Sequence, residues 1–200
     1  METFLYNWFF WFVASYLCGT VCFAYFLAKA KGINIFEVDS KSATSTNLSR
    51  QLGLRWGITN GVLDFLKAFI PVLLAKNYIT EPWQLVLIAV APTIGHIFPV
   101  WFNFKGGKGG ATFIGGSLAL VGWSFLYIFG IFLAIIAITK KTSTANLAHP
   151  IIFILWAYLA GWGSVAIWYG VVETALLWYG LRENIARIVS GQEPDLTKKL

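Results

Sequence analysis

The stretch Gly109–Thr139, GGATFIGGSLALVGWSFLYIFGIFLAIIAIT, holds no charged residue. A helix crossing the hydrocarbon of a bilayer needs about 20 mostly apolar residues. These residues therefore make either one long helix or two short ones that turn near Gly122. The lysines on either side decide between the two. Lys105 and Lys108 precede the stretch, and Lys140 and Lys141 follow it. Cytoplasmic loops of membrane proteins carry the excess of Lys and Arg. A single crossing would put the two pairs on opposite faces, whereas a helix that doubles back puts them on the same one. Two spans are expected, the first of them short.

The same reasoning extends outward. Thr3–Ala28 is uncharged, Gly57–Ala75 carries Asp64 and Lys67, Pro82–Phe104 is uncharged, and Thr142–Leu181 contains only Glu173. The last stretch is long enough for two spans, broken near Gly161-Trp162-Gly163-Ser164. Seven spans with the N-terminus outside place Lys29, Lys31, Lys41, Arg50, Arg55, Lys105, Lys108, Lys140, Lys141, Arg182, Arg187, Lys198 and Lys199 on the cytoplasmic side. Lys76 alone falls outside, and Lys67 lies within a span. The composition agrees, with 58% hydrophobic and 12% charged residues, against about 25% charged in soluble proteins. It excludes a disordered chain, a disulfide scaffold and an ordinary cytosolic enzyme. The expected fold is an all-α polytopic membrane helical bundle of about seven transmembrane helices, one domain over residues 1–200, with a cytoplasmic C-terminus.

The net charge of +6 does not read as a nucleic-acid surface, because the cations sit in a few gaps between apolar runs. Cys18 and Cys22 share a helix face but have no nearby His or Cys to complete a zinc site, and no metal is expected. Leu17 before Cys18, and the lack of any Lys or Arg before Lys29, argue against a lipoprotein or cleaved signal.

On this topology the polar clusters meet at one face. The first inner loop holds Asp39-Ser40-Lys41-Ser42-Ala43-Thr44-Ser45-Thr46-Asn47 and then Arg50, and the second holds Lys105-Gly106-Gly107-Lys108-Gly109-Gly110. The third holds Lys140-Lys141-Thr142-Ser143, and the tail begins Arg182-Glu183-Asn184. Hydroxyls, bare backbone N–H groups and cations of this kind suit an oxyanion pocket. Taken singly, a basic inner loop is a topology signal and a Ser/Thr run is a solvated linker. The glycine loop is not a Walker A motif, since Phe102 stands at its first glycine and Gly109 at its Ser/Thr. Asp64 and Lys67, three apart, pair along one helix face. Ionisable groups inside a membrane are costly enough to suggest function, beside the plainer reading of a structural pair. His96, ahead of Ile97-Phe98-Pro99, is either a hydrogen-bonded helix contact or a base. Glu173 has no evident partner in the sequence.

The run Gly95-His96-Ile97-Phe98-Pro99, followed by Phe104-Lys105-Gly106-Gly107-Lys108-Gly109-Gly110-Ala111-Thr112, resembles the acyl-phosphate:glycerol-3-phosphate acyltransferases of bacterial membranes, the PlsY family. The likeness continues through Tyr16–Lys29, Thr46-Asn47 with Arg50, Asp64 with Lys67 and Pro71, and Arg182-Glu183-Asn184-Ile185 to Glu193. It implies a multi-pass protein of the bacterial plasma membrane. It also implies transfer of a fatty acyl group from acyl phosphate to the 1-hydroxyl of glycerol 3-phosphate, giving lysophosphatidic acid and phosphate. No metal, coenzyme A or carrier protein is implied as cofactor, and the partners implied are the two substrates and membrane lipid. By the resemblance, Ser40 and Asn184 position the reacting groups. Arg50, Lys105, Gly106, Gly107, Lys108 and Gly109, with Thr46 and Asn47, bind substrate, and Lys67 shapes the pocket. Asp64, His96 and Asn146 belong to the same region.

Several positions depart from the family pattern. The first loop lacks two glycines and an asparagine, with Lys41, Ser42 and Thr44 in the altered window. Ala68 replaces a glycine, Asn146 falls near a usual serine, and Leu181 replaces a histidine that would be a proton acceptor. These departures suggest a relative acting on another phosphorylated acceptor, or an inactive one, as an alternative. A small carrier for a phosphorylated metabolite is a further alternative, although no internal repeat of the kind common in carriers is visible.

Overall fold

The computed structural model describes residues 2–196 and 198; Lys199, counted above among the tail cations, lies outside them. The described residues contain ten α-helices and no strand. The first apolar run opens with a short 3-10 turn and forms α1 (Trp8–Gly19), where the Asn7 side chain accepts from the Phe9 N–H. The run then breaks at Thr20–Cys22 and resumes as α2 (Phe23–Lys29). The first loop is not a solvated linker. It holds α3 (Ser45–Leu52), capped by the Thr44 hydroxyl accepting from the Asn47 N–H, the arrangement expected of an N-cap threonine. Next come α4 (Leu54–Ala75), α5 (Pro82–Ile97), α6 (Gly110–Val121), α7 (Phe125–Thr139), α8 (Thr142–Leu159), α9 (Gly163–Gly180) and α10 (Arg182–Val189).

By length and apolarity four stretches qualify as spans: Trp8–Lys29, Leu54–Ala75, Pro82–Phe102 and Gly110–Thr139. A fifth is added if α9 and α10, bent by 70°, are one span. That is fewer than the seven expected. Gly110–Thr139, however, is not a single rod. In a straight helix Phe113 and Phe132 would stand about 28 Å apart, yet both rings rest on His149, at 5.1 and 4.8 Å. Phe113 and Phe125 also meet at 6.2 Å. The chain doubles back at Gly122, whose φ of +71° suits a residue without Cβ. The 12 residues of α6 give it a length of about 18 Å, short of the ~30 Å hydrocarbon core.

The surface is that of a protein in lipid, with Trp123 and Ile138 80% and 81% exposed. Helices meet through small residues, which bring backbones close where burial of apolar surface alone does not drive association. A Cβ on Gly19 would lie 2.3 Å from the Pro92 carbonyl, and one on Gly95 2.2 Å from that of Tyr16, so α1 and α5 touch along their backbones. Gly115 makes the same approach to Phe65 of α4. The wholly buried Ala68 packs opposite Gly115, so this departure from the family pattern lies at a helix contact and not on the cavity described below.

Two ends are distinct. At one, the Lys76 ammonium reaches the carbonyls of Ala119 and Leu120, at 2.9 and 3.1 Å, and caps the end of α6. Trp11 of α1 stacks on Tyr78 near the same end. At the other, the loops ahead of α3, α6 and α8 join the C-terminal tail. Thr46 bonds Thr142, the Ala43 N–H donates to the Gly106 carbonyl, and the Lys108 ammonium donates to Asn184.

Candidate active site

A cavity of about 630 Å³ opens where these loops join. Its polar head is lined by Ser40, Thr46, Arg50, Lys108, Asn184 and Glu193. Its other limb is apolar and runs between α4, α6 and α7 along Phe65, Ile114, Leu118, Phe129, Phe132 and Ile136. Ile58, Val62, Leu126 and Leu133 line it too, and each is also exposed on the outer surface. The apolar limb therefore opens sideways between α4 and α7, toward lipid.

The head is built on a buried carboxylate, Glu193, the last residue of the tail match, to which the sequence assigned no role. Glu193 Oε1 accepts from Ser143 Oγ at 2.7 Å and Asn184 Nδ2 at 2.6 Å, and Oε2 accepts from Arg187 Nε at 2.8 Å. Burial pushes this carboxyl up, but the three hydrogen bonds and the Arg187 charge outweigh it and hold the group below its ordinary value. Glu193 thereby fixes Asn184 with its oxygen turned to the Lys108 ammonium. Burial lowers the Lys108 pKa to about 8, helped by the charges of Arg187 and Arg50 and opposed by Glu193 and Glu183. The Arg50 guanidinium donates to Asp39 Oδ2 at 3.0 Å and to the Asp195 carbonyl at 3.3 Å, and its Nε is buried without a hydrogen bond among the described residues.

Gly109, Gly110 and Ala111, at the start of α6, also line the head. The first N–H groups of a helix have no intrahelical acceptor, and the helix dipole makes that end positive. Lys108, Arg50 and the α6 N-terminus thus bring positive charge to the head of the cavity.

The remaining expected residues divide. Asn47 is wholly buried and does not line the cavity. Its Nδ2 donates to the carbonyls of Ile35, Val38 and Ser42, so it holds the first loop in shape. Lys67 also lies off the cavity. Its ammonium forms an ion pair with Asp64 at 2.7 Å and donates to the Val21 carbonyl at 2.6 Å and His96 Nδ1 at 2.9 Å. An ammonium has no acceptor, so His96 Nδ1 accepts and Nε2 carries the hydrogen. The Val21 carbonyl is available because the first run breaks there. Asp64 and His96 line the cavity, with Asp64 also bonded by Asn60 at 2.7 Å.

Lys105, Gly106 and Gly107 face a second cavity of about 330 Å³, with Lys41, Arg182 and Arg187; Ser40 lines both. The altered first loop closes without its glycines. Asp39 and Lys41 take left-handed φ of 48° and 49°, and the Ser42 hydroxyl donates to the Ser40 carbonyl at 3.0 Å. Leu181 is buried on the wall of the main cavity and offers no proton acceptor there.

The glycine loop packs against α5. The Gly107 N–H donates to the His96 carbonyl at 2.9 Å. A Cβ at Gly107 would meet His96 Nε2 at 2.1 Å and the Ala43 carbonyl at 2.7 Å. Gly107→Ala should displace the loop and lower stability by about 1–3 kcal/mol, the usual cost of overpacking. A lower thermal midpoint in detergent checks this, and an unchanged midpoint would show that the loop tolerates the methyl group.

Comparisons with known proteins agree with this layout. The model of the family described as glycerol-3-phosphate acyltransferase matches residues 9–191. Glycerol-3-phosphate acyltransferase of Aquifex aeolicus is 36% identical over 90% of this chain and 95% of its own. The protein of the same name from Maridesulfovibrio salexigens is 36% identical over 96% of this chain and 98% of its own. Crystal structures of PlsY, an integral membrane glycerol 3-phosphate acyltransferase, superpose in its glycerol 3-phosphate form with a TM-score of 0.89 and in its lysophosphatidic acid form with 0.86. Each is 35% identical and covers 94% of this chain and 95% of its own. An all-helical membrane architecture, a cationic cavity with an apolar limb and these matches lead to one conclusion: the chain belongs to the glycerol-3-phosphate acyltransferase family.

Proposed function

We propose that the protein moves a fatty acyl group from acyl phosphate to the 1-hydroxyl of glycerol 3-phosphate, giving lysophosphatidic acid and inorganic phosphate. The observation that carries this reading is a single cavity with Arg50, Lys108 and Asn184 at its head and an apolar limb open to lipid. Phosphate binds at Lys108, Arg50 and the start of α6, and the acyl chain lies along Ile114, Phe129 and Phe132. Asn184, fixed by Glu193, and Ser40, at the junction of the two cavities, position the hydroxyl. Thr46 borders the head, and Lys105, Gly106 and Gly107 border the second cavity through which the polar substrate enters.

An acyl phosphate is already activated, so no covalent nucleophile is needed. The protein's contribution is to orient two anionic substrates and stabilise the developing oxyanion. The hydroxyl oxygen attacks the carbonyl carbon, the carbon–oxygen bond to phosphate breaks, and the hydroxyl proton leaves with hydrogen phosphate. Seven crossings in a bacterial plasma membrane, with the site facing the cytoplasm, are supported by the turn at Gly122 and by the cationic loops gathered at one end.

Purified protein in detergent, given palmitoyl phosphate and glycerol 3-phosphate, should form lysophosphatidic acid, and palmitoyl-CoA in place of the phosphate should not support it. Product from the thioester alone would overturn the choice of donor. Saturable uptake of phosphate esters into liposomes without acyl transfer would mark a carrier.

A further inference from the structure

Asn146 makes no hydrogen bond among the described residues, although its Oδ1 is buried and its side chain lines the main cavity. Its polar neighbours are engaged: Thr142 with Thr46, Ser143 with Glu193, and Lys108 with Asn184. Its Nδ2 also makes no hydrogen bond among the described residues and, unlike Oδ1, is not sealed off, so an N–H donor stands available to a molecule bound in the cavity. Space is kept for it. A Cβ at Gly110 would stand 2.2 Å from Asn146 Oδ1 and 3.0 Å from Nδ2, so only glycine lets α6 approach it.

The position of Asn146 indicates the ligand atom. It lies one turn along α8 from Thr142 and Ser143 at the polar head, and faces Gly110, one turn before the apolar Ile114 on α6. It therefore marks the border between the two limbs. In any molecule with a phosphate at one end and a hydrocarbon chain at the other, joined through an acyl carbonyl, the carbonyl sits at that border. Resting on the function proposed above, we infer that Asn146 is a catalytic residue whose Nδ2–H donates to the acyl carbonyl oxygen. As the hydroxyl oxygen bonds to the carbonyl carbon, the π pair moves onto this oxygen. When the carbonyl re-forms, the pair of the carbon–oxygen bond leaves with phosphate.

The test compares the unsubstituted protein with Asn146→Ala and the isosteric Asn146→Asp, using palmitoyl phosphate and glycerol 3-phosphate. A donor that strengthens only in the transition state lowers kcat by about 10²–10³-fold on removal. Asn146→Ala should lose kcat by at least a hundredfold, with KM for each substrate within about twofold and the thermal midpoint unchanged, and Asn146→Asp should lose kcat at least as far. Full kcat in Asn146→Asp would overturn the assignment, as would a KM effect at unchanged kcat. If Asn146→Ala fails to fold, Asn146→Asp decides alone. Absence of product from the unsubstituted protein would remove the proposed function and this inference with it, whereas normal turnover in both variants would remove the inference only.

Discussion

Lys108→Ala is expected to lower kcat/KM for acyl transfer by about 10²–10³-fold, the larger part as a rise in KM for a phosphate substrate. The ammonium is mostly buried at the head of the cavity, bonded to Asn184. Truncating the lysine of the charged pair it would form with a bound phosphate costs roughly 2–5 kcal/mol, and each 1.4 kcal/mol is a factor of about ten. The pH dependence provides an independent sign. Burial and the neighbouring arginines lower the Lys108 pKa to about 8, so the cation is complete below that pH and is lost as pH rises through it. The kcat/KM of the unsubstituted protein should therefore fall above about pH 8. A guanidinium stays charged throughout, so Lys108→Arg, whatever its level, should not show that limb. Initial rates between pH 6 and 10 check both points, and an unchanged KM in Lys108→Ala would mean that this loop does not hold phosphate.

The second large effect is expected at Glu193. Its carboxylate joins α8 through Ser143, and α10 through Asn184 and Arg187. Glu193→Ala leaves three donors without an acceptor, and the loss of stability should be about 3 kcal/mol. Glu193→Gln, which keeps one oxygen, should fall between. The folded-state pKa lies below the ordinary glutamate value of 4.5. The Glu193 stabilisation is thus complete above 4.5 and lost as pH falls through the folded-state pKa, so acidification should lower the midpoint of the unsubstituted protein more than that of Glu193→Ala. Thermal unfolding in detergent between pH 3 and 7 measures this. Equal midpoints for the two proteins at pH 7 would contradict it.

How much of this was legible depended on the range of each interaction. The turn at Gly122 follows from two pairs of lysines flanking one apolar run, and the break before α9 follows from Gly161 and Gly163. The Asp64–Lys67 pair follows from helical spacing alone. Lys67's contact with the Val21 carbonyl could not be read, because it requires the first run to break at a place where the composition does not change. The α3 helix was obscured by a run of hydroxyl residues that reads as linker, although Thr44 three before Asn47 was a capping signal. Asn47 was expected at substrate and instead holds the loop carbonyls together. Glu193 closes the tail match, but its role could not be read, since one of its donors, Ser143, lies 50 residues away. Its role exists only once α8 and α10 are adjacent.

The proposed function requires Arg50, Lys108 and the start of α6 to form one seat for a phosphate ester. Calorimetric titration of glycerol 3-phosphate into the purified protein, with glycerol as control and inorganic phosphate as competitor, tests it without turnover. Saturable binding of the ester, displaced by phosphate, absent for glycerol and weakened at least tenfold in Arg50→Ala, is the expected result. Binding that does not distinguish glycerol 3-phosphate from glycerol, or that survives Arg50→Ala unchanged, would contradict it.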